Sequence, residues 1–119
     1  MLFRSNVFQD FIEDVDNIKF KKNLHRGCLD WRPNLLVNNY FDVAKAVQRN
    51  YEMLFYSVIR RASKLSKSKN LVLMGGCALN CAANDIAHKY FDNVWIMPNP
   101  GDAGSSMGAV LAHLKKHVY

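Results

Sequence analysis

A glycine pair has the type and position that could bind an anionic ligand, and an asparagine and an aspartate could take part, the aspartate through a metal ion. Gly75 and Gly76 follow a short apolar run, and Asn80 comes four residues later. A backbone without Cβ atoms lets a ligand approach closely, and the start of a following helix offers unpaired N–H groups to an anion. Nucleotide binding is one interpretation of this pattern. A tight turn without a ligand is the other, and it is favoured for an isolated glycine pair.

A second loop contains the aspartate in a similar position. The stretch at 98–104 includes two prolines, Gly101, Asp102 and Gly104, and a helical pattern follows it. Asp102 lies at the mouth of that helix, where its carboxylate either caps free N–H groups or faces a metal ion and phosphates. Gly108 weakens the same helix by about 1 kcal/mol relative to alanine, which favours close packing against a neighbour there.

Two strand–loop–helix units are predicted to position these residues. The apolar run at 71–75 is typical of a strand buried on both faces, and a second apolar run occupies 93–97. A helix at 78–90 connects them, so we predict a parallel pair joined by a right-handed crossover. The two loops would then lie side by side. The apolar stripe of the connecting helix comprises Leu79, Ala82, Ala83, Ile86, Ala87 and Tyr90.

The order of these motifs resembles the carbamoyltransferase family. GGCALN at 75–80, followed by PNPGDAGSSMGA at 98–109, is similar to the ATP-using O-carbamoyltransferases of nodulation-factor and antibiotic tailoring. The pattern is more distantly similar to the tRNA threonylcarbamoyladenosine synthase, and both groups belong to the actin-like ATPase superfamily. The resemblance is strong from about residue 42 to about 114. It implies an α/β fold, a partial actin-like ATPase (ribonuclease H-like) lobe with short parallel strands and flanking helices.

The resemblance also implies roles for individual residues. Gly75, Gly76 and Gly104 would admit a nucleotide, and Asn80 would hold ribose or a bound acyl-adenylate. Asn80 could instead bond to its own backbone, as early-helix asparagines do. Asp102 matches the family's metal-ligand aspartate, whose carboxylate suits a divalent cation, with iron as one candidate. The implied cofactors are ATP, with a carbamoyl-adenylate intermediate, and a divalent metal.

The implied function is that of a fragment of an ATP-dependent O-carbamoyltransferase. A carbamoyl phosphate-derived donor would supply the carbamoyl group, and a hydroxyl-bearing small molecule would accept it. The family's first lobe and its second, adenylate-forming domain are not recognised in this sequence, so we expect no turnover by this chain alone. The remaining lobe would be supplied in cis or as a separate chain. The alternative is a non-catalytic nucleotide-binding or assembly module, a split or degenerate remnant.

Length and composition agree with part of a larger enzyme. The 119 residues allow one domain at most, and half of them are hydrophobic. No run is long enough to span a membrane, and residues 1–20 lack the pattern of a signal peptide. Three cysteines without a disulfide framework predict a reducing cytoplasm. The net charge of +6 is interpreted as solvated lysine, and nucleic-acid binding is not favoured because no nucleic-acid motif accompanies the basic residues.

The chain before residue 39 is the least readable part. Apolar spacing over 7–15 suggests a short amphipathic helix, and the proline and asparagines of 31–39 predict a loop. We therefore divide the chain into a poorly defined N-terminal segment, 1–38, and the C-terminal part of the carbamoyltransferase nucleotide-binding domain, 39–119.

A long helix is predicted between this boundary and the first strand. Asn39 is a suitable N-cap, and Asp42 would lie in the first turn. About six helical turns follow. Their single apolar stripe comprises Val43, Val47, Tyr51, Leu54, Val58, Ala62 and Leu65.

Two pairs of potential metal ligands are interpreted as structural. Cys77 and Cys81 alone do not complete a zinc site, and we predict small buried side chains. His113 and His117 have the spacing of the family's His-x-x-x-His metal pair, but the family pair lies upstream of the glycine pair. Near the end of a helix, cations complement its carboxyl terminus, which is the role we assign to these histidines.

Overall fold

Helices and short strands alternate along the chain, so the fold is mixed α/β as predicted. The computed structural model describes residues 10–23, 25, 31 and 34–115. The described elements are β1 (Ile12–Asp14), β2 (Lys19–Phe20), α1 (Tyr40–Leu65), β3 (Asn70–Leu73), α2 (Cys81–Asn84), β4 (Asn93–Ile96) and α3 (Gly104–Leu114). Within these residues, 3-10 turns occur at Val37–Asn39, Gly76–Leu79 and Asp85–Lys89. No described helix is both long and apolar enough to cross a lipid bilayer.

By proximity of its backbone, the chain divides into two units, Met1–Val58 and Ile59–Tyr119. The division falls inside α1, so the two ends of this long helix belong to different units. The sequence analysis placed its boundary elsewhere, between a poorly defined segment at 1–38 and the nucleotide-binding part at 39–119. That boundary stays a prediction.

The first unit contains a small hairpin where the sequence predicted an amphipathic helix over 7–15. β1 and β2 pair antiparallel. The Asp14 carboxylate accepts hydrogen bonds from the backbone N–H groups of Asp16 (2.9 Å) and Asn17 (3.1 Å) and from the Asn17 side-chain amide (2.8 Å). Such local bonds stabilise a turn at the expense of a helix. The helix prediction is therefore wrong from residue 12 onward, and its positions before residue 10 lie outside the described residues.

α1 has nearly the predicted bounds, but its buried face differs from the prediction. The 3-10 turn that precedes α1 ends at Asn39, so Asn39 lies within continuous helical structure and is not the N-cap. Asp42 lies in the first turn, as predicted. The buried apolar positions of the helix are Val43, Ala46, Leu54 and Ile59. Val47, Val58 and Leu65 are 47%, 41% and 81% exposed, so the predicted stripe is wrong at these three positions.

The second unit is built on the parallel pair that the sequence predicted. Asn70 lies opposite Asn93, and the register continues until Leu73 lies opposite Ile96. The two asparagines also pair through their side chains, because Asn93 Nδ2 donates to Asn70 Oδ1 at 2.8 Å. β3 and β4 end two residues and one residue earlier than predicted. Both strands nevertheless run in the same direction and end at the same edge.

Burial of the first strand on both faces is not observed. Side chains along β3 alternate between exposed and half-buried positions, and Val72 is 56% exposed. Its neighbour across the pair, Trp95, is 42% exposed. Parallel strands are usually covered by helices on both faces, which is why an apolar run predicts burial. In the described part of the chain, β3 and β4 form a sheet of two strands, and one face stays largely open.

The connection between β3 and β4 consists of three short helical segments, whereas a single helix over 78–90 was predicted. A 3-10 turn, α2 and a second 3-10 turn follow one another, and Asn80 is non-helical with φ −80° and ψ 81°. Ala83 and Ala87 are buried as predicted, but Leu79 is exposed. α2 has only four residues, so few peptide dipoles align along it. The unpaired N–H groups that the sequence analysis offered to an anion therefore lack the support of a helix dipole in α2.

The hairpin is predicted to lose order in acid. Hydrogen bonds from Asn17 and, to a lesser degree, from the Asp16 N–H and the charge of Lys19 hold the pKa of Asp14 below its ordinary value of 3.8. A carboxyl group with a depressed folded pKa stabilises the folded form above its unfolded pKa, and this contribution disappears as the pH falls through the folded pKa. We expect the Asp16 and Asn17 amide NMR signals to move towards unfolded values with a midpoint below pH 3.8. Asp14→Ala should show those shifts already at pH 7, and a titration that leaves both amides unmoved would contradict the prediction.

Candidate functional site

The two glycine loops meet at the carboxyl end of the parallel pair. The Gly75 N–H donates to the Pro100 carbonyl at 2.8 Å. A Cβ built on Gly101 would lie 3.9 Å from the Gly76 Cα and 3.8 Å from Leu79 Cδ1, so a single methyl group would fill the space between the loops there. The predicted side-by-side placement is confirmed. Open α/β sheets characteristically bind ligands outside the carboxyl ends of their strands.

The two glycines of the pair are explained by different constraints. Gly75 has φ +92° and ψ 164°, a backbone conformation that other residues rarely adopt. Gly76 has an ordinary φ, and a Cβ built on it would meet no described atom within 4 Å. Gly75 is therefore required by the turn, while Gly76 presents backbone that a ligand could approach. Nucleotide binding by either residue stays a prediction.

Asn80 caps the short helix α2. Its Oδ1 accepts a hydrogen bond from the Ala83 N–H at 3.2 Å. Its backbone carbonyl accepts from the N–H groups of Ala83 and Asn84, both at 3.1 Å. The local bonding that the sequence left open as an alternative is therefore present. It occupies the amide oxygen, and ligand binding by Asn80 stays a prediction.

Asp102 lies exposed in the turn that leads into α3. The residue at the N-cap of α3 is Ala103, and no side chain caps the helix. The contribution of Asp102 is its main-chain carbonyl, which accepts from the Ser105 N–H at 3.1 Å. Capping by the carboxylate, one of the two predicted roles, is therefore not observed. An exposed carboxylate suits a hard cation. Among the described residues, however, no three His, Cys, Asp or Glu side chains are grouped to hold a metal.

Gly104 is required by a close approach of the backbone. A Cβ at Gly104 would collide with the carbonyl oxygen of Asn99. The backbone of Asn99 has a left-handed φ of 53°. The Gly104 N–H donates to the Gly101 carbonyl at 2.9 Å, which closes the turn. Its predicted contact with nucleotide stays a prediction. For Gly108, by contrast, a Cβ would meet no described atom within 4 Å, so the close packing expected there is wrong.

The remaining candidate ligands are arranged differently from the expectation. Cys77 and Cys81 are both exposed, because the broken helix turns these positions away from the buried alanines. Their predicted burial is therefore wrong. His113 lies in the last turn of α3, at the position predicted for a helix-end cation. His117 lies outside the described residues.

Asn84 is a buried polar residue that the sequence analysis did not single out. It is 6% exposed, and its Nδ2 donates to the Ala78 carbonyl at 2.8 Å. Its Oδ1 has no hydrogen-bond partner in the part of the chain that the structure describes. The available signal was an amide side chain next to Ala83 and three residues before Ala87, the two most deeply buried positions of the predicted stripe.

Comparison with known proteins identifies the family. The family model described as Carbamoyltransferase N-terminus matches residues 3–111. The chain belongs to this carbamoyltransferase family. The match confirms the resemblance carried by the two motifs, and it begins well before residue 42, where the motif pattern is weak.

Relatives of the carbamoyltransferase chain are considerably longer proteins. Nodulation protein NolO of Bradyrhizobium diazoefficiens is 32% identical over 115 residues, which cover 88% of this chain and 21% of that protein. Nodulation protein U of the same organism is 44% identical over 54 residues, covering 44% and 10%. An uncharacterized Synechocystis protein is 35% identical over 79 residues, covering 65% and 13%. The chain therefore spans between about a tenth and a fifth of these relatives. No solved structure matches it significantly.

Alanine substitutions at Gly104 and Gly108 should have opposite effects on stability. Gly104→Ala places a methyl group on the Asn99 carbonyl, and such overpacking typically costs about 1–3 kcal/mol. Gly108→Ala meets open space inside α3 and should stabilise by up to about 1 kcal/mol, since alanine favours helix. Urea unfolding followed by circular dichroism measures both changes. Equal stability of the two variants would show that the Asn99–Gly104 approach is not a constraint.

Proposed function

We propose that this carbamoyltransferase chain is part of an ATP-dependent O-carbamoyltransferase and that its two loops form one wall of the nucleotide site. The hydrogen bond from Gly75 to Pro100 carries the proposal. It brings the accessible backbone of Gly76 next to the loop that holds Asp102. Family membership supports carbamoyl transfer as the chemistry in which this wall takes part.

Each predicted site residue has a role that its surroundings permit. The open backbone at Gly76 allows phosphate or ribose to approach without a side chain in the way. Asn80 lies one turn further along and would bind ribose or the adenylate. Asp102 would provide one carboxylate ligand to a divalent metal, iron among the candidates, and the metal when bound would neutralise phosphate charge. Its other ligands would come from chain outside the described residues.

The proposed reaction transfers a carbamoyl group to a hydroxyl of a small molecule. A carbamoyl phosphate-derived donor would supply the group through a carbamoyl-adenylate made with ATP. Because relatives extend far beyond the matched residues, we propose that a further lobe, in cis or as a separate chain, completes the site. We also propose that the protein works in the cytoplasm, where ATP is available and its exposed cysteines stay reduced.

A non-catalytic nucleotide-binding or assembly module is the second candidate function. One observation favours it: the Asn80 amide oxygen, one of the predicted ligand contacts, already accepts a local hydrogen bond from the Ala83 N–H. The genomic neighbourhood discriminates between the two. A neighbouring reading frame that encodes a His-x-x-x-His lobe would favour a split enzyme, and its absence would favour a remnant.

Titration of the isotope-labelled chain with ATP tests the proposed wall directly. We expect amide shifts over 75–80 and 101–104, because both loops face the proposed nucleotide. Asn80→Ala should raise the Kd for ATP about tenfold, the effect of one lost hydrogen bond to a charged or polar ligand group. If ATP at millimolar concentration moves no amide in either loop of the folded chain, the nucleotide role is wrong.

Asp102→Asn tests the metal role separately from stability. The carboxylate caps no helix, so thermal stability without ligand should be nearly unchanged. With the further lobe supplied, the metal-dependent part of ATP binding should disappear, because the amide lacks the negative charge that a metal–nucleotide complex needs. Asp92→Asn is the matched control, since Asp92 is also exposed but precedes β4 at the opposite end of the strands. Undiminished metal-dependent binding by Asp102→Asn would rule out a metal role for this residue.

A further inference from the structure

Three hydrogen bonds form a continuous series from the buried side chain of Asn84 to the second loop. Asn84 Nδ2 donates to the Ala78 carbonyl at 2.8 Å. The Ala78 N–H donates to the Gly75 carbonyl at 2.9 Å, and the Gly75 N–H donates to the Pro100 carbonyl at 2.8 Å. We call these the loop-linking series. It connects α2, the 3-10 turn, the glycine pair and the loop at 98–104.

The orientation of the Asn84 amide is determined by this series. Turning the amide over would place Oδ1 against the Ala78 carbonyl oxygen, and two acceptors repel each other. In the observed orientation Oδ1 is buried, and no described residue is its hydrogen-bond partner. A buried unpaired acceptor is destabilising, and a fold selected for stability alone would favour an apolar side chain at this position. The amide is therefore explained by what it holds in place.

We infer that Asn84 is a positioning residue for the candidate nucleotide site. It fixes the 3-10 turn by holding the Ala78 carbonyl, and the turn in turn fixes Gly75 at φ +92° with its N–H directed at Pro100. Through these bonds a residue without predicted ligand contact sets the spacing of the two loops. The functional part of this inference rests on the proposed function, while the positioning part concerns the chain without ligand.

Two substitutions that remove the donor in different ways separate positioning from bulk packing. Asn84→Leu keeps the branched shape and the number of side-chain heavy atoms, although leucine is larger, and it removes both the donor to Ala78 and the unpaired acceptor. Asn84→Ala removes the same donor and leaves a small cavity. Asn93→Ala is the matched control, because it deletes another 2.8 Å amide hydrogen bond in the same unit. Asn93 lies at the start of β4, at the end of the strand away from the two loops. Hydrogen exchange of single backbone amides by NMR is the readout, with no ligand added.

In both Asn84 variants the amide protons of Ala78 and Gly75 should exchange about tenfold faster than in the parent, and the exchange rates of the β3 and β4 amides should be unchanged. The control should leave these two amides at the parent rate. If the variants do not fold, the parent chain still decides: the Asn84 side-chain protons should exchange far more slowly than those of exposed Asn93. Parent-like exchange at Gly75 and Ala78 in folded Asn84→Leu, or equally fast side-chain exchange of Asn84 and Asn93, would overturn the inference.

ATP titration of the same variants distinguishes this inference from the proposed function. We expect Asn84→Leu to raise the Kd for ATP about tenfold, with the control unchanged. An unchanged Kd together with altered exchange would overturn the link to nucleotide binding and leave the loop-linking series as structure only. Absence of ATP binding by the parent chain would overturn the proposed function, whereas the exchange result would still decide whether Asn84 positions the loops.

Discussion

The parallel register of β3 and β4 is the constraint that places every candidate residue. Since Leu73 lies opposite Ile96, the strands end at one edge, and the segments that follow them leave side by side. The pairing continues beyond the strands, because the Met97 N–H donates to the Leu73 carbonyl at 3.3 Å and the Gly75 N–H to the Pro100 carbonyl at 2.8 Å. A slip of one residue would exchange the two faces of a strand and separate these partners. The meeting of the loops is thus a consequence of strand pairing.

Within the loops, some motif glycines are required by the backbone geometry, and another leaves the backbone accessible to a ligand. Gly75 and Gly104 are explained by a left-handed φ and by the approach of the Asn99 carbonyl. Gly76 has no such constraint from described atoms, so it is the glycine whose identity a ligand could account for. A family motif therefore combines residues that shape the site with residues that would contact its ligand. The carboxylate of Asp102 caps no helix, so it is available for the metal role proposed above.

The sequence predicted the parallel pair, the bounds of α1 and the juxtaposition of the loops, since these follow from apolar runs and glycine breaks. It failed where one polar side chain decides the local backbone. Asp14 replaces a predicted helix with a turn, and Asn80 interrupts the predicted connection between the strands. Asn84 escaped notice because hydropathy cannot tell which carbonyl a buried amide will bind. Hydrophobic periodicity does not contain this information.

The failed prediction of burial for β3 has a different cause. An apolar run predicts burial because parallel sheets are usually covered on both faces. The described chain covers one face of the pair, so Val72 and Trp95 stay partly exposed. Backbone hydrogen bonds such as the one between Gly75 and Pro100 need only the two segments that form them. In this chain, predictions of pairing therefore hold better than predictions of burial. The same distinction assigns loop spacing to this chain, because that spacing depends on backbone hydrogen bonds that its own segments form.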